Sequence, residues 1–136
     1  MNNTGFLSIA QNSDTDYFRL CYFQFLYLKK VMPDVPYAVI VDRNTYRDIP
    51  EKCKTQIYKI IVLENDYAIN ENWKFSNEPQ VYDLTPFDHT IKIESDLLIT
   101  RDISHWIPAL DGKDIVFAHG CKNFLQQKTE NKFFSL

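Results

Sequence analysis

Short apolar runs alternate along the chain with longer amphipathic or polar stretches, and this alternation predicts strands separated by helices. The runs are rich in β-branched and aromatic residues and are short enough to be strands covered on both faces of a sheet. Predicted strands cover residues 5–10, 37–41, 57–63 and 114–118, and a further strand begins at about residue 89. This order of elements is typical of α/β proteins.

The clearest predicted helix covers residues 16–31, where most side chains are apolar. The polar loop before it offers Ser13, Asp14 or Asp16 as a cap, and Pro33 ends it. A helix that is apolar almost all round is expected to be largely buried or packed against a partner. Residues 64–76 are predicted to be irregular, and shorter helices are predicted over residues 45–54 (interrupted at Pro50), 78–84, and 102–110 with Thr100 or Asp102 as cap.

Alternating strands and helical segments predict an α/β fold with a Rossmann-like, mostly parallel sheet flanked by helices. At 136 residues the chain has the length of one domain, so residues 1–136 are predicted to share a single core. In open parallel sheets, ligands bind beyond the carboxyl ends of the strands. The polar residues that follow the predicted strands are therefore the first candidates for a functional site.

Polar side chains cluster after three of these strands. In chain order they are Gln11, Asn12 and Asp16, then Asp42, then Glu94 and Asp96. Because the carboxyl ends of parallel strands meet at one edge of a sheet, we expect these side chains to converge on one site.

The acid pair in Glu94-Ser95-Asp96 follows a predicted buried strand directly. Two carboxylates separated by one small residue form a compact, oxygen-rich site that suits a divalent cation carrying phosphates. Mg²⁺ usually takes one or two protein carboxylates, and Mn²⁺ also accepts oxygen ligands. The competing explanation is a solvated turn, which is common for such triplets. The predicted cofactor is Mn²⁺ or Mg²⁺.

Composition excludes several other classes of protein. The chain has only three glycines, and neither a P-loop nor a dinucleotide-binding glycine pattern can be written from them. A net charge of −3 provides no basic field for nucleic acid. The chain shows no signal peptide and no apolar segment of membrane-spanning length. A cytoplasmic protein without a membrane span is therefore expected.

One part of the chain resembles a known family. The features are an early strand running into an Asn- and Asp-rich loop, a Thr-Pro-Phe-Asp turn at 85–88, a strand, and acid-x-Asp followed by Leu-Leu-Ile-Thr-x-Asp-Ile at 97–103. They resemble the nucleotide-sugar-binding half of GT-A glycosyltransferases, especially family 8-like and related bacterial and phage members. The resemblance covers about residues 5–120 and is specific around residues 84–103.

This resemblance implies that the acid-x-Asp motif holds Mn²⁺ or Mg²⁺ against the diphosphate of the donor. Asp96 matches the last acid of the motif and is expected to ligate the metal directly. Glu94 matches the first acid, which contacts the metal or the donor ribose. The usual residue there is Asp, and Glu is one methylene longer, so a water-mediated role and a loss of activity are both open.

The resemblance also implies that the loop after the first strand contacts the nucleoside. Gln11, Asn12 and Asp16 are the candidates in that loop, and capping of the next helix is the competing explanation for them. Asp42 is a candidate for orienting the nucleoside, and simple solvation of a strand end is its competing explanation.

Lys74 and Asn77 lie where such enzymes often place donor-contacting loop residues, and Lys74 would supply a positive charge for phosphate. The competing explanation for Lys74 is an exposed lysine beside a packing tryptophan, Trp73.

The activity implied by the resemblance is transfer of a sugar from a nucleotide-sugar donor to an acceptor hydroxyl. The acceptor is unknown, and the acceptor-binding part of the family lies in sequence beyond the point where this chain ends. The alternatives are a nucleotide-sugar-binding module without turnover and a structural module, for instance in a virus particle. Phosphatase-like α/β folds are a distant third, because their nucleophilic Asp would stand where this chain has Gln11 and Asn12.

Overall fold

The structure, a computed structural model, describes residues 3–116. Its strands are β1 (Thr4–Ala10), β2 (Tyr37–Val41), β3 (Lys59–Val62) and β4 (His89–Lys92). Its α-helices are α1 (Tyr17–Val31), α2 (Arg43–Asp48), α3 (Glu51–Lys54) and α4 (Val81–Leu84), and two 3₁₀ helices cover Lys74–Gln80 and Ser104–Leu110. Residue contacts divide the chain into two compact units, Met1–His105 and Trp106–Leu136.

The four described strands form one sheet in the order β3-β2-β1-β4, and every neighbouring pair is parallel. The predicted α/β fold with a parallel sheet flanked by helices is therefore confirmed. The chain adds β2 and β3 on one side of β1 and then crosses to place β4 on the other side. The strand order thus reverses between β1 and β4, and such a reversal opens a crevice at the carboxyl ends of the two strands.

Side chains of the central strands alternate between two apolar cores, one on each face of the sheet. Phe6 and Ala10 of β1 point to the core that contains α1, whereas Leu7 points to the core formed with Val81 and Phe87. All five residues of β2 are buried, as expected for a strand covered on both faces.

Helix α1 begins where Asp16 accepts a hydrogen bond from the backbone N–H of Arg19 at 3.0 Å, so the predicted cap is confirmed. Lys29 and Lys30 lie in its last turn, where positive charge suits the helix dipole. The helix is buried along one face only. Its exposed large apolar side chains are Phe23, Leu26 and Tyr27.

Two other predicted elements differ from the structure. The helix predicted over residues 45–54 is interrupted at Pro50 as predicted, because the proline ring cannot continue the first helix, but α2 begins earlier, at Arg43. In the strand predicted over residues 114–118, Asp114, Ile115 and Val116 are not in a strand, and Ile115 and Val116 are exposed. Residues 117–118 lie outside the described part of the chain.

The turn Thr85-Pro86-Phe87-Asp88 ties the start of β4 to the start of β1. The ring of Phe87 packs on Gly5 so closely that a Cβ at Gly5 would lie 2.4 Å from Cζ of Phe87. The backbone N–H of Asn3 donates to Oδ2 of Asp88 at 3.0 Å. This turn, which contributes to the family resemblance, therefore has a structural role at the amino edge of the sheet.

Candidate functional site

The predicted site residues lie at the carboxyl edge of the sheet. Gln11 follows β1 directly and Asp42 follows β2 directly, while Glu94 comes two residues after the end of β4. The backbone N–H of Ile93 donates to the carbonyl of Leu7 at 2.9 Å, so the chain leaves β4 beside the last residues of β1. The edge therefore combines the ends of three neighbouring strands with β1 in the middle.

Asn77 joins the loop after β3 to the end of β1. It is fully buried, and its Nδ2 donates to Oε1 of Gln11 and to Oδ1 of Asp66, both at 2.8 Å. Its Oδ1 accepts from the backbone N–H of Tyr67 at 2.9 Å and from Nε2 of Gln80 at 2.8 Å. We call Gln11, Asp66, Asn77 and Gln80 the amide cluster. Sequence reasoning proposed Gln11 and Asn77 separately, and the structure brings them together.

Gln11 presents a buried donor without a partner. The N–H of Tyr67 can only donate, which fixes Oδ1 of Asn77 as its acceptor and Nδ2 of Asn77 as the donor to Gln11. Oε1 of Gln11 must therefore face Asn77, and its Nε2 has no hydrogen-bond partner in the described part of the chain. An unsatisfied buried donor costs about 1–3 kcal/mol, so an acceptor from water or a ligand is expected there.

The side chains of Asn12 and Asp16 cap α1. Oδ1 of Asn12 accepts from the backbone N–H of Phe18 at 2.9 Å, and Nδ2 of Asn12 donates to Oδ1 of Asp16 at 3.0 Å. Both residues thus satisfy N–H groups that the first turn of a helix leaves unpaired. The structure shows the capping role, and the predicted contact of these two residues with a donor remains a prediction.

Asp42 caps α2 and is buried. Its Oδ1 accepts from the backbone N–H of Thr45 at 2.7 Å, and Oγ1 of Thr45 accepts from the backbone N–H of Asn12 at 2.8 Å. Thr45 is itself buried, so it connects the loops that follow β1 and β2. Sequence reasoning did not identify Thr45, although its position three residues after an N-cap Asp was a usable signal.

Residues 94–97, which we call the acid turn, are held by a glutamine of α1. Nε2 of Gln24 donates to the carbonyls of Glu94 at 2.7 Å and Leu97 at 2.5 Å. Its Oε1 accepts from the hydroxyl of Tyr37 at 2.9 Å and lies 2.7 Å from the hydroxyl of Ser8. Sequence reasoning missed Gln24; the signal was one polar residue among apolar neighbours in a helix.

The two buried titratable side chains next to Gln24, Cys21 and Tyr37, are neutral. Burial raises the pKa of Cys21 to about 12 and raises the pKa of Tyr37 well above its ordinary value. Tyr37 therefore keeps the proton that it donates to Gln24. Ser8 also lies 2.9 Å from the carbonyl of Ile93, which adds a second acceptor for its hydroxyl just before the acid turn.

Lys92 pairs with two carboxylates at this edge. Its Nζ lies 2.9 Å from Oε2 of Glu78 and is in direct contact with Oε1 of Glu94. Burial lowers the pKa of Lys92, but the hydrogen bonds and charges of Glu94 and Glu78 outweigh this effect, and the net shift is upward. Lys92 received no role in the sequence reasoning, because its partner Glu78 is distant in sequence.

Asp96 and Glu94 therefore differ as metal ligands. Asp96 is exposed and makes no hydrogen bond or ion pair within residues 3–116, whereas Glu94 is paired with Lys92. The described residues contain no group of three or more His, Cys, Asp or Glu side chains placed to hold a metal. One free carboxylate fits a Mg²⁺ or Mn²⁺ ion that takes its other ligands from phosphates and water. Lys92 contacts Oε1 of Glu94, so Oε2 is the oxygen through which Glu94 would act as a second carboxylate ligand.

Lys74 and Trp73 lie in the loop that the amide cluster holds. Nζ of Lys74 donates to the carbonyl of Ala68 at 2.8 Å, so it braces the loop. Trp73 is 75% exposed and stacks on Phe75, with ring centroids 6.0 Å apart. Trp73 therefore packs on a neighbouring ring at the surface, and contact of Lys74 with a donor remains a prediction.

A cavity of about 310 Å³ lies near the start of β2, and none of the residues that line it is a predicted site residue. Phe25, Tyr37 and Tyr58 contribute to its lining. The ends of the strands remain the stronger candidate because they carry the unpaired donor and the free carboxylate.

Comparison with known proteins adds no family assignment: no family model matches the chain, and no curated protein matches it. None of the helices within residues 3–116 is both long and apolar enough to cross a membrane.

Proposed function

We propose that this protein binds a nucleotide-sugar at the carboxyl edge of its sheet and serves the donor side of a metal-dependent glycosyl transfer. The observation that carries the proposal is the unpaired donor of Gln11. It lies at the end of the central strand, next to the place where the strand order reverses, and ligands of open parallel sheets bind at that place.

The amide cluster is suited to the nucleoside. Its side chains are oriented by one another, and the orientation that Asn77 imposes on the Gln11 amide leaves Nε2 as the buried donor that still needs an acceptor. A base carbonyl or a ribose oxygen provides the acceptor that this donor lacks. Asp42, Asn12 and Asp16 are the neighbouring candidates for further polar contacts.

The acid turn is suited to the diphosphate. Asp96, whose carboxylate has no partner within residues 3–116, is the candidate ligand of a Mn²⁺ or Mg²⁺ ion, and Glu94 would join it through Oε2, the oxygen outside its contact with Lys92. The metal, when bound, neutralises charge on the leaving diphosphate. Lys74 is the candidate for an additional phosphate contact. Nucleotide-sugar binding also accords with a cytoplasmic protein, and Cys21 and Cys53 are free thiols as a reducing compartment requires.

A second candidate function is nucleotide-sugar binding without turnover. The ion pair between Lys92 and Glu94 favours it, because this pair occupies one oxygen of Glu94 and offsets the charge that Glu94 would offer a metal. Glu in place of the usual Asp points the same way.

Titration calorimetry with UDP and GDP, each with and without Mn²⁺, tests the shared part of both candidates. We expect Mn²⁺-dependent binding of one nucleotide that Asp96→Asn weakens at least tenfold. Asp83→Asn removes the same charge from an exposed residue of α4 and is the matched control. If neither nucleotide binds, or if both variants behave like the unaltered protein, the proposal is wrong.

Hydrolysis of UDP-glucose and GDP-mannose separates the two candidates. A transferase without its acceptor is expected to release free nucleotide slowly and only with Mn²⁺. Nucleotide binding without any release would favour the non-catalytic module.

A further inference from the structure

The side-chain amide of Gln24 has a partner for both of its protons and two hydroxyl partners for its oxygen. Its amide is 1% exposed and lies between α1, β1, β2 and the acid turn. Nε2 has two protons and meets two carbonyls, those of Glu94 and Leu97, while Oε1 meets the hydroxyls of Tyr37 and Ser8. No other side chain supplies two donors and an acceptor in the same plane except the shorter Asn.

We propose that Gln24 is the positioning residue of the candidate site, setting the backbone of the acid turn and thereby the direction of the Asp96 carboxylate. The proposal rests on the proposed function, because it assigns Gln24 a role in cation–nucleotide affinity. Asp96 lies between the two carbonyls that Gln24 holds, and its own side chain makes no hydrogen bond within the described residues. Its position therefore depends on the backbone on both sides.

The orientation of the Gln24 amide follows from its partners. Backbone carbonyls only accept, so the NH₂ group must face Glu94 and Leu97 and the oxygen must face the hydroxyls. A carboxylate at position 24 would still accept from Tyr37 and Ser8. It would, however, place a negatively charged oxygen against two carbonyl oxygens.

The variant Gln24→Glu tests the proposal through its pH dependence. When the new side chain is ionised it repels both carbonyls, and when it is protonated its O–H donates to one of them. We expect Mn²⁺–UDP or Mn²⁺–GDP affinity, whichever the unaltered protein shows, to fall at least tenfold at pH 8.5. The ratio of unaltered to variant affinity should then shrink steadily as the pH is lowered to 6.

The effect of other titrating groups on affinity cancels when the variant is compared with the unaltered protein at each pH. The groups around position 24 are Cys21 on α1, Tyr37 on β2, Lys92 on β4 and Glu94 in the acid turn. All four are present in both proteins. Gln56→Glu is the matched control, because Gln56 is exposed and makes its hydrogen bond to Tyr22, away from the acid turn. If Gln24→Glu shows the same flat ratio as Gln56→Glu, the proposal is overturned.

Amide hydrogen exchange of the ligand-free protein gives a second measurement. The N–H of Leu97 donates to the carbonyl of Glu94 at 3.1 Å, inside the segment that Gln24 holds. In Gln24→Glu at pH 8.5 we expect this amide to exchange at least tenfold faster, while amides of β1 and β2 stay protected. Unchanged exchange at Leu97 would contradict the positioning role.

A milder variant keeps the test valid if Gln24→Glu does not fold. Tyr37→Phe removes one donor to Oε1 but leaves both bonds to the acid turn. Because Tyr37 orients the Gln24 amide, we expect a loss of affinity of about two- to threefold together with faster exchange of the Leu97 amide, and no change in either would overturn the proposal. Absence of UDP and GDP binding to the unaltered protein would refute the proposed function, whereas unchanged Leu97 exchange would refute the role of Gln24.

Discussion

In the amide cluster Gln11 and Asn77 are buried and hydrogen-bonded to each other, whereas in the acid turn Gln24 holds the backbone and the carboxylates reach solvent. Asn77 has every polar atom paired inside the protein. Asp96 has no such partner in the described residues, and Glu94 is paired only with Lys92. The two regions therefore prepare a site in different ways. The amide cluster fixes the direction of its hydrogen-bonding groups, whereas the acid turn presents exposed carboxylates on a fixed backbone to a hydrated ion.

The largest expected effect on stability is that of Asn77→Ala, which breaks the amide cluster. The change leaves the Tyr67 N–H and the Gln11 oxygen unpaired in a buried environment. We expect the free energy of unfolding to fall by about 2–4 kcal/mol. Denaturant unfolding measures this, with Asn72→Ala as an exposed control that should change it by less than about 0.5 kcal/mol. Equal effects of the two variants would show that the cluster does not stabilise the fold.

A smaller effect on stability is expected for Gln11→Met, although Gln11 is as deeply buried. The change removes one hydrogen bond with Asn77 but also removes the unpaired donor, so the two contributions partly cancel. We expect a loss of less than about 1.5 kcal/mol in denaturant unfolding. Binding of UDP or GDP should nevertheless weaken at least tenfold in calorimetry. Unaltered nucleotide affinity would indicate that a buried water, and no ligand, satisfies the donor.

Lys92→Met tests how the positive charge of Lys92 affects metal binding at the acid turn. Lys92 and Glu78 are half-buried and Glu94 is exposed, so solvent still screens these pairs, and stability should change by about 1 kcal/mol. We expect affinity for Mn²⁺ in the presence of nucleotide to rise a few-fold, because Glu94 becomes available as a ligand. A fall in that affinity would mean that Lys92 itself contacts phosphate.

The pH dependence of the Lys92 contribution follows from its raised pKa. A base with a raised pKa stabilises the folded state below its unfolded value, which is ordinarily 10.5, and this contribution is lost as the pH rises through the folded value. The stability difference between Lys92→Met and the unaltered protein should therefore be constant between pH 7 and 9 and shrink only above about pH 10.5. A difference that changes between pH 7 and 9 would contradict this assignment.

The smallest effect on stability is expected for Asp96→Asn. Its carboxylate is exposed and unpaired in the described part of the chain, so unfolding should change by less than about 0.5 kcal/mol. Together with a large loss of Mn²⁺-dependent binding, this result would show that Asp96 serves binding and not stability, in contrast to Asn77. A destabilisation above about 1 kcal/mol would show that the acid turn depends on the Asp96 side chain.

Much of the fold could be predicted because it follows from local pattern. The alternation of apolar runs located β1, β2 and β4 and the α/β class, and Asp16 was among the predicted caps. The candidate site was predicted in part: its position at the carboxyl edge follows from strand ends alone. The contacts of Gln24 with the acid turn and of Lys92 with Glu78 were not predicted, because those partners lie on other elements of the fold.

The sequence by itself therefore determined where strands and helices lie and which polar residues follow the strands, since those features depend on hydrophobic period and on capping within a few residues. Only the tertiary structure decided which polar groups meet: Asn77 with Gln11, Gln24 with the acid turn, and Lys92 with Glu78 and Glu94. The physical reason is that a hydrogen bond or ion pair is formed by proximity in space. That proximity arises from the order of strands in the sheet, which brings together residues up to 85 positions apart, as for Ser8 and Ile93.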